Sequence, residues 1–355
     1  MGNISTIFTN KVISWYRKNK RDLPWRNTNN PYFIWLSEII LQQTRIEQGT
    51  PYYLRFIKKF PDVRSLAKAD EKEVLKLWQG LGYYSRARNL HAAAKKVISE
   101  YKGIFPSAPD IIKELPGVGD YTTAAIGSIA FGLPLAVVDG NVYRLFSRFF
   151  GIKTPIDSSA GKKEFSELAG QLILGKNPAE FNQAIMEFGA LHCKPADPLC
   201  QSCPLQQKCV AYLENKQKEF PVKRKKKKAS ARYFNYLIIE SVDKKICMQQ
   251  RIRNDIWRNM YEFPLVESQE RKNKNTLQKS QEWIDVFGKS RNKIQPVWEL
   301  KHVLSHQTIH ASFFKTTGLK PLNLKGYIHV QKEKVGKYPV SRLIEKFLST
   351  HPELF

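Results

Sequence analysis

The chain has 355 residues, 42% of them hydrophobic and 12% aromatic. That is enough for two domains with separate cores, and too apolar for a disordered chain. Lysine and arginine number 58 against 32 aspartates and glutamates, a net charge of +26, which points to a polyanionic partner, usually nucleic acid, held with salt-sensitive affinity. No run of about 18 apolar residues is present to cross a membrane, and the N-terminal residues lack a secretory signal. The expected location is cytoplasmic, at the nucleoid if the source is bacterial.

Residues 1 to about 215 read as helix after helix. Apolar residues recur at spacings of three and four over Ile7–Tyr16, Tyr32–Leu41, Val74–Leu81 and Leu90–Val97. Pro24, Pro61, Gly103, Pro106, Pro116 and Gly117 punctuate them, and few strands are expected. Glu38 lies in Ile34-Trp35-Leu36-Ser37-Glu38-Ile39-Ile40-Leu41-Gln42-Gln43-Thr44. A carboxyl in so apolar a helix is desolvated, which raises its pKa. The plain alternative is a polar stripe shared with Gln42, one turn later. Further on, Leu115-Pro116-Gly117-Val118-Gly119-Asp120 sits between helical stretches. Its glycines bring bare backbone close to a ligand, and the helix expected from about Asp120 to Ala130 aims free N–H groups at the turn. A phosphate suits that position, though an ordinary helix–helix turn reads the same locally. Asp139 precedes the next helix in Ala136-Val137-Val138-Asp139-Gly140-Asn141-Val142-Tyr143-Arg144. It is expected to be an N-cap, kept ionised by the helix N-terminus.

Cys193, Cys200, Cys203 and Cys209 follow, spaced C-x6-C-x2-C-x5-C. Close-spaced thiols in a chain with no secretory signal read as metal ligands, and spacing alone suits zinc or a 4Fe–4S cluster. Cys247 stands apart as a small core residue. Residues 216–230 contain Lys223-Arg224-Lys225-Lys226-Lys227-Lys228, a like-charge block that reads as a solvated linker. Beyond it, strands are expected at Tyr233–Glu240, Lys245–Arg251, Trp298–Leu304 and Thr308–Lys315, and helices at Thr276–Phe287 and Val340–Leu348. Residues 231–355 therefore form a smaller α+β domain.

The cysteine spacing resembles that of the iron–sulfur glycosylases of the endonuclease III and MutY families, which implies one structural 4Fe–4S cluster on these four thiolates. Leu115–Ile126 is similar to the helix–hairpin–helix of the same superfamily, which implies that Gly117 and Gly119 meet the DNA backbone. Breaking an N-glycosidic bond calls for one carboxylic acid kept neutral near pH 7, to protonate the departing base, and one carboxylate to stabilise the sugar cation. The string SEIILQQT resembles the MutY-family motif that holds the general acid. It implies protonation of adenine at N7 by Glu38, with Gln43 and Thr44 among the bases around the lesion. VVDGNVYRL resembles the segment with the essential aspartate, so Asp139 faces the cation and Asn141 orients its neighbours. Bifunctional members carry a lysine where this chain has Tyr121, so no amine nucleophile is offered, and the resemblance leaves Tyr121 to support the cation with Asn141. By the same resemblance Tyr83, in LGYYSRARNL, wedges into the base stack, and Gln183, in Asn182-Gln183-Ala184, contacts the flipped base.

Residues 231–355 resemble the Nudix-like C-terminal domain of MutY proteins. Asp255–Pro264 is similar to a family stretch but lacks its glycines, and the Glu-rich pyrophosphatase signature is absent, so a recognition module is expected. Leu304-Ser305-His306 resembles the family loop that meets oxidised guanine, with leucine in place of phenylalanine.

The resemblance implies a mainly α glycosylase region over 1–215, with a six-helix subdomain at about 29–136 and a cluster subdomain from 1–28 plus 137–215. A basic linker over 216–230 and a lesion-recognition domain over 231–355 complete the chain. The implied activity is monofunctional removal of adenine paired with 8-oxoguanine or guanine in double-stranded DNA, by a monomer with no membrane partner. One rival is an endonuclease III-type pyrimidine glycosylase with lyase activity, which Tyr121 and the second domain oppose. The other is a non-catalytic basic DNA-binding protein, which Glu38 and Asp139 oppose.

Overall fold

The computed structural model describes residues 2–224, 230–289, 292–320 and 326–355. Of the expected basic linker, residues 225–229 lie outside the described residues. Two compact units form, one from 1–68 with 92–226 and the other from 69–91 with 227–355.

Among the described residues twelve α-helices precede the linker: α1 Gly2–Asn19, α2 Pro31–Leu41, α3 Ile46–Lys59, α4 Val63–Lys68, α5 Glu71–Trp78, α6 Ser85–Tyr101, α7 Pro109–Lys113, α8 Asp120–Phe131, α9 Gly140–Phe150, α10 Ser159–Ile173, α11 Pro178–Leu191 and α12 Val210–Leu213. No strand occurs among the described residues of this stretch. Side chains set several starts: Asn30 accepts from Tyr32 N, Ser158 from Gly161 N and Asn177 from Glu180 N, with proline at the first position of α2 and α11. The expected Val74–Leu81 helix ends at Trp78, where Gln79 caps it.

The core of the first unit gathers Phe8 and Val12 of α1, Phe146 and Phe149 of α9, Phe165 of α10, and Phe181 and Phe188 of α11, all buried. Gly189 sets how closely α11 meets α9. A Cβ there would stand 2.8 Å from Asn141 O and from Asn141 Cβ, so any larger residue pushes the start of α9 away.

The second unit is built on a mixed seven-stranded sheet: β1 Ser230–Glu240, β2 Lys245–Gln250, β3 Tyr261–Glu262, β4 Leu265–Ser268, β5 Gln295–Val303, β6 Gln307–Thr317 and β7 Tyr327–Gln331. The strand order is β3-β2-β1-β6-β5, with β4 on β1 and β7 on β2. β1 and β6 run parallel from Ser230↔Gln307 to Glu240↔Thr317, and β5 and β6 form an antiparallel hairpin. α13 Lys274–Gln278 and α14 Gln281–Phe287 cover one face, burying Leu277, Trp283 and Phe287 against Leu237, Ile239 and Phe314. On the other face Phe347 of α15 Arg342–Thr350 stacks on Phe313 at 4.0 Å. α5 folds with this unit, where Gln79 Nε2 donates to Glu345.

The single helix expected over Thr276–Phe287 is two helices, because the Ser280 hydroxyl accepts from Trp283 N and starts a new one. No helix among the described residues is long and apolar enough to cross a membrane.

Candidate active site

Three elements of the first unit meet at one cavity of about 320 Å³, bordered by Glu38, Leu41, Gln42, Gln43, Tyr121, Val138, Asp139 and Gly140. The volume lies at the small end of ligand sites, about 300–1,000 Å³. Glu38 comes from the last turn of α2, Tyr121 from the first turn of α8, and Asp139 caps α9.

Burial at the cavity wall pushes the Glu38 carboxyl up to about 7. A contact from the Tyr121 hydroxyl opposes that rise, and the Asp139 charge adds to it. Near neutral pH a large share of Glu38 therefore carries a proton, as a general acid must. The Tyr121 phenol is held far above its usual range by burial and by both carboxylates. It stays neutral, and its oxygen also lies 3.3 Å from Met186 Sδ.

Asp139 Oδ1 accepts from Asn141 N at 2.9 Å and Val142 N at 2.8 Å, and its Oδ2 from Asn141 Nδ2 at 2.8 Å. The N-cap geometry expected from sequence is present. Burial, which residue order does not reveal, raises the Asp139 pKa above the ordinary aspartate value, while those helix-start donors lower it. The Val142 and Asn141 donors and the Arg144 charge pull it back. Burial disfavours the charged form, and the three hydrogen bonds to the carboxylate with the Arg144 charge offset that cost.

Behind Asp139 runs a chain that spacing did not reveal. Asn141 Oδ1 accepts from Arg144 Nη2 at 2.9 Å, and Arg144 donates onward to Gly189 O at 2.6 Å and Cys193 O at 2.8 Å. One turn later Arg148 donates to Lys194 O and Pro195 O, with Nη1 3.5 Å from Cys193 Sγ. Both arginines are buried. Two arginines at i and i+4 on an otherwise apolar helix face are the signal that could have found them.

Cys193, Cys200, Cys203 and Cys209 border one small cavity of about 30 Å³ with Leu145, Phe149 and Phe188. Burial pushes the Cys203 thiol up to about 12 and raises Cys200 and Cys209 as well, with mutual repulsion adding to each. A bound cation would draw the protons from Cys200, Cys203 and Cys209. Among the described residues no three His, Cys, Asp or Glu side chains converge on a single metal ion.

The remaining candidates are placed as follows. Gln43 borders the cavity with φ 56°, and the Thr44 hydroxyl donates to Gln42 O. Gly117, at φ +80°, turns the chain between α7 and α8 in a conformation that a Cβ would strain. Gly119 caps α8 with no side-chain hydrogen bond, and nothing lies within 4 Å of where its Cβ would be. That open helix start is a ready anion site. Gln183 Oε1 accepts from Tyr16 at 2.5 Å and does not border the cavity. In the second unit Tyr83 is 49% exposed at φ 47°. Ser305 and His306, in the β5–β6 turn, are exposed, with Oγ 3.2 Å from Nδ1.

An acid and an anion sharing one cavity beside an open helix–hairpin–helix turn define a class, the base-excising glycosylases. The family model for the HhH-GPD superfamily of base excision DNA repair proteins matches residues 36–171, and that for the NUDIX domain matches 235–350. An adenine DNA glycosylase of Buchnera aphidicola (Acyrthosiphon pisum) is 32% identical over 354 residues, spanning 96% of this chain and 97% of that protein. The mouse enzyme of the same name is 44% identical over 216 residues, 58% of this chain and 42% of that protein. A thermostable thymine-DNA glycosylase structure superposes with a TM-score of 0.56 at 32% identity, over 60% of this chain and 98% of that one. The chain belongs to the adenine DNA glycosylase family, hydrolases of N-glycosyl bonds in base-excision repair.

Proposed function

We propose that this enzyme removes adenine paired with 8-oxoguanine or guanine in double-stranded DNA, and does so without cutting the strand. The observation that carries this reading is the pairing of Glu38, raised to about 7, with a thrice-bonded Asp139 at one cavity. Glu38 gives its proton to N7 of the flipped adenine, and the bond from N9 to C1′ breaks as charge leaves with the base. Asp139, fixed by Asn141 and the α9 N-terminus, faces the cation left at C1′, and water completes hydrolysis. No lysine borders the cavity among its described residues. Borohydride is therefore expected to trap no substantial enzyme–DNA adduct on an A:8-oxoguanine duplex while adenine is released. Efficient trapping, or no adenine release from either mispair, overturns the reading.

In the same reading residues 1–215 carry the chemistry, Gln43, Thr44, Gly117, Gly119, Tyr83 and Gln183 contact DNA, and the enzyme acts as a cytoplasmic monomer. Cys193, Cys200, Cys203 and Cys209 would hold a 4Fe–4S cluster. What supports a fit is that all four thiols border one small cavity. When bound the cluster would cross-link the loop to which Arg144 and Arg148 anchor α9, and Arg148, with Nη1 3.5 Å from Cys193 Sγ, would offset the negative charge of the four thiolates. Purified protein is expected to be brown, with about four irons and four sulfides per chain. Stoichiometric zinc without iron sinks that assignment.

Ser305 and His306 are the proposed readers of the oxidised base, which differs from guanine by an added carbonyl and an N–H. The exposed hydroxyl and imidazole can donate or accept there. One such contact contributes about 0.5–1.5 kcal/mol, a two- to twelvefold preference. Ser305→Ala with His306→Ala is expected to erode the A:8-oxoguanine over A:G rate ratio by about that factor while leaving A:G release intact. An unchanged ratio places lesion reading elsewhere.

A further inference from the structure

The sheet face that α13 and α14 cover is only partly filled. Side chains alternate along a strand, so Tyr233 of β1 and His310 of β6 share this face with the buried Leu237, Ile239 and Phe314. They lie toward the starts of their strands, where a pocket of about 270 Å³ opens. Its lining includes three cations, Arg271, Lys272 and Lys301, against one carboxylate, Glu299. Arg271 and Glu299 neutralise each other as an exposed ion pair. Lys272 is different. Its side chain is 16% exposed, and its ion-pair partner Glu270, 3.5 Å away, is 78% exposed. A sheltered ammonium with a solvent-screened partner at that distance gains little from it. Beside it Tyr233 and His310 are in register and stacked, ring centroids 5.0 Å apart at 17°. Sheltered positive charge next to stacked planar rings is the combination that recognises a phosphate attached to an aromatic base.

We propose that this pocket is a second ligand site, taking a nucleotide with its phosphate at Lys272 and Lys301 and its base against the Tyr233–His310 pair. The nucleotide is either free or part of a DNA strand. It is separate from the catalytic cavity and uses neither Glu38 nor Asp139.

The test is calorimetric titration of the full chain with thymidine 5′-monophosphate, a ligand whose base is not adenine. Thymidine and inorganic phosphate are titrated alongside it. Saturable binding of the monophosphate is expected, with each half-ligand weaker by about tenfold or more. Lys272→Gln is expected to weaken binding about tenfold, the scale of one charge-assisted hydrogen bond. His310→Ala is expected to weaken it severalfold by removing the stack, with thermal melting of both variants unchanged. A short thymidine oligonucleotide then separates the sources. A matching loss with Lys272→Gln assigns the site to a strand, and binding of the mononucleotide alone assigns it to a free nucleotide. The proposal falls if neither ligand saturates, if inorganic phosphate binds as well as the nucleotide, or if both variants bind like the wild type.

Discussion

Glu38→Gln is expected to lower single-turnover adenine release by about 10²–10⁴-fold, the range for loss of a positioned general acid, while duplex affinity stays near that of the wild type. The amide keeps the shape of the carboxyl at the cavity wall but has no proton to give. The pH dependence follows from the same cause. Glu38 titrates at about 7 in the folded protein against an ordinary value of 4.5, so activity falls as pH rises through about 7. Stability carries the matching signature. The folded state holds this proton more tightly than the unfolded chain, so ionisation costs stability as pH rises from about 4.5 to about 7. Glutamine cannot ionise, and Glu38→Gln should therefore be more stable than the wild type at pH 8, by about 1–3 kcal/mol. That advantage should vanish below pH 4. Denaturant melts at the two pH values measure it without any activity assay. Normal turnover by the variant, or an identical stability difference at both pH values, removes Glu38 from the role of acid.

Much of this site was legible from residue order because its members sit at local landmarks. Glu38 interrupts an apolar run, Asp139 precedes a helix, and the glycines of the 115–120 turn announce a backbone that must bend. Those signals depend on a few neighbouring residues. What stayed hidden depends on segments distant in the chain. The Asp139 pKa is raised by burial that only the folded surroundings create, while the lowering by its helix-end donors follows from local order. The Asn141–Arg144–Cys193 connection needs α11 close to α9, which the Gly189 approach permits. Gln183 is drawn to Tyr16, a residue of α1. The break at Ser280 was missed because apolar spacing runs through it, while the local cap that divides the helix is a single hydroxyl. The parallel pairing of β1 with β6 joins strands too far apart for periodicity to register.

Asp139→Asn is expected to reduce adenine release by about 10²–10³-fold or more, the scale seen when an electrostatic contact to a developing charge is lost. The substitution isolates charge from scaffold. Asparagine caps helices about as well as aspartate, so its remaining oxygen can keep the bonds from Asn141 N and Val142 N. Asp139→Ala would instead lose the cap, at about 0.5–2 kcal/mol of stability, and blur the comparison. A small change in melting temperature with a large loss of rate therefore assigns the effect to the anion. The two carboxyls also interact, because the Asp139 charge is one cause of the raised Glu38 pKa. Removing it relieves that repulsion, so the residual activity of Asp139→Asn should fall away at a lower pH than in the wild type. A purely structural defect would scale the whole profile down and leave its alkaline limb in place. Retention of rate within about tenfold, or an unmoved alkaline limb, would show that Asp139 holds the start of α9 and does not stabilise the sugar cation.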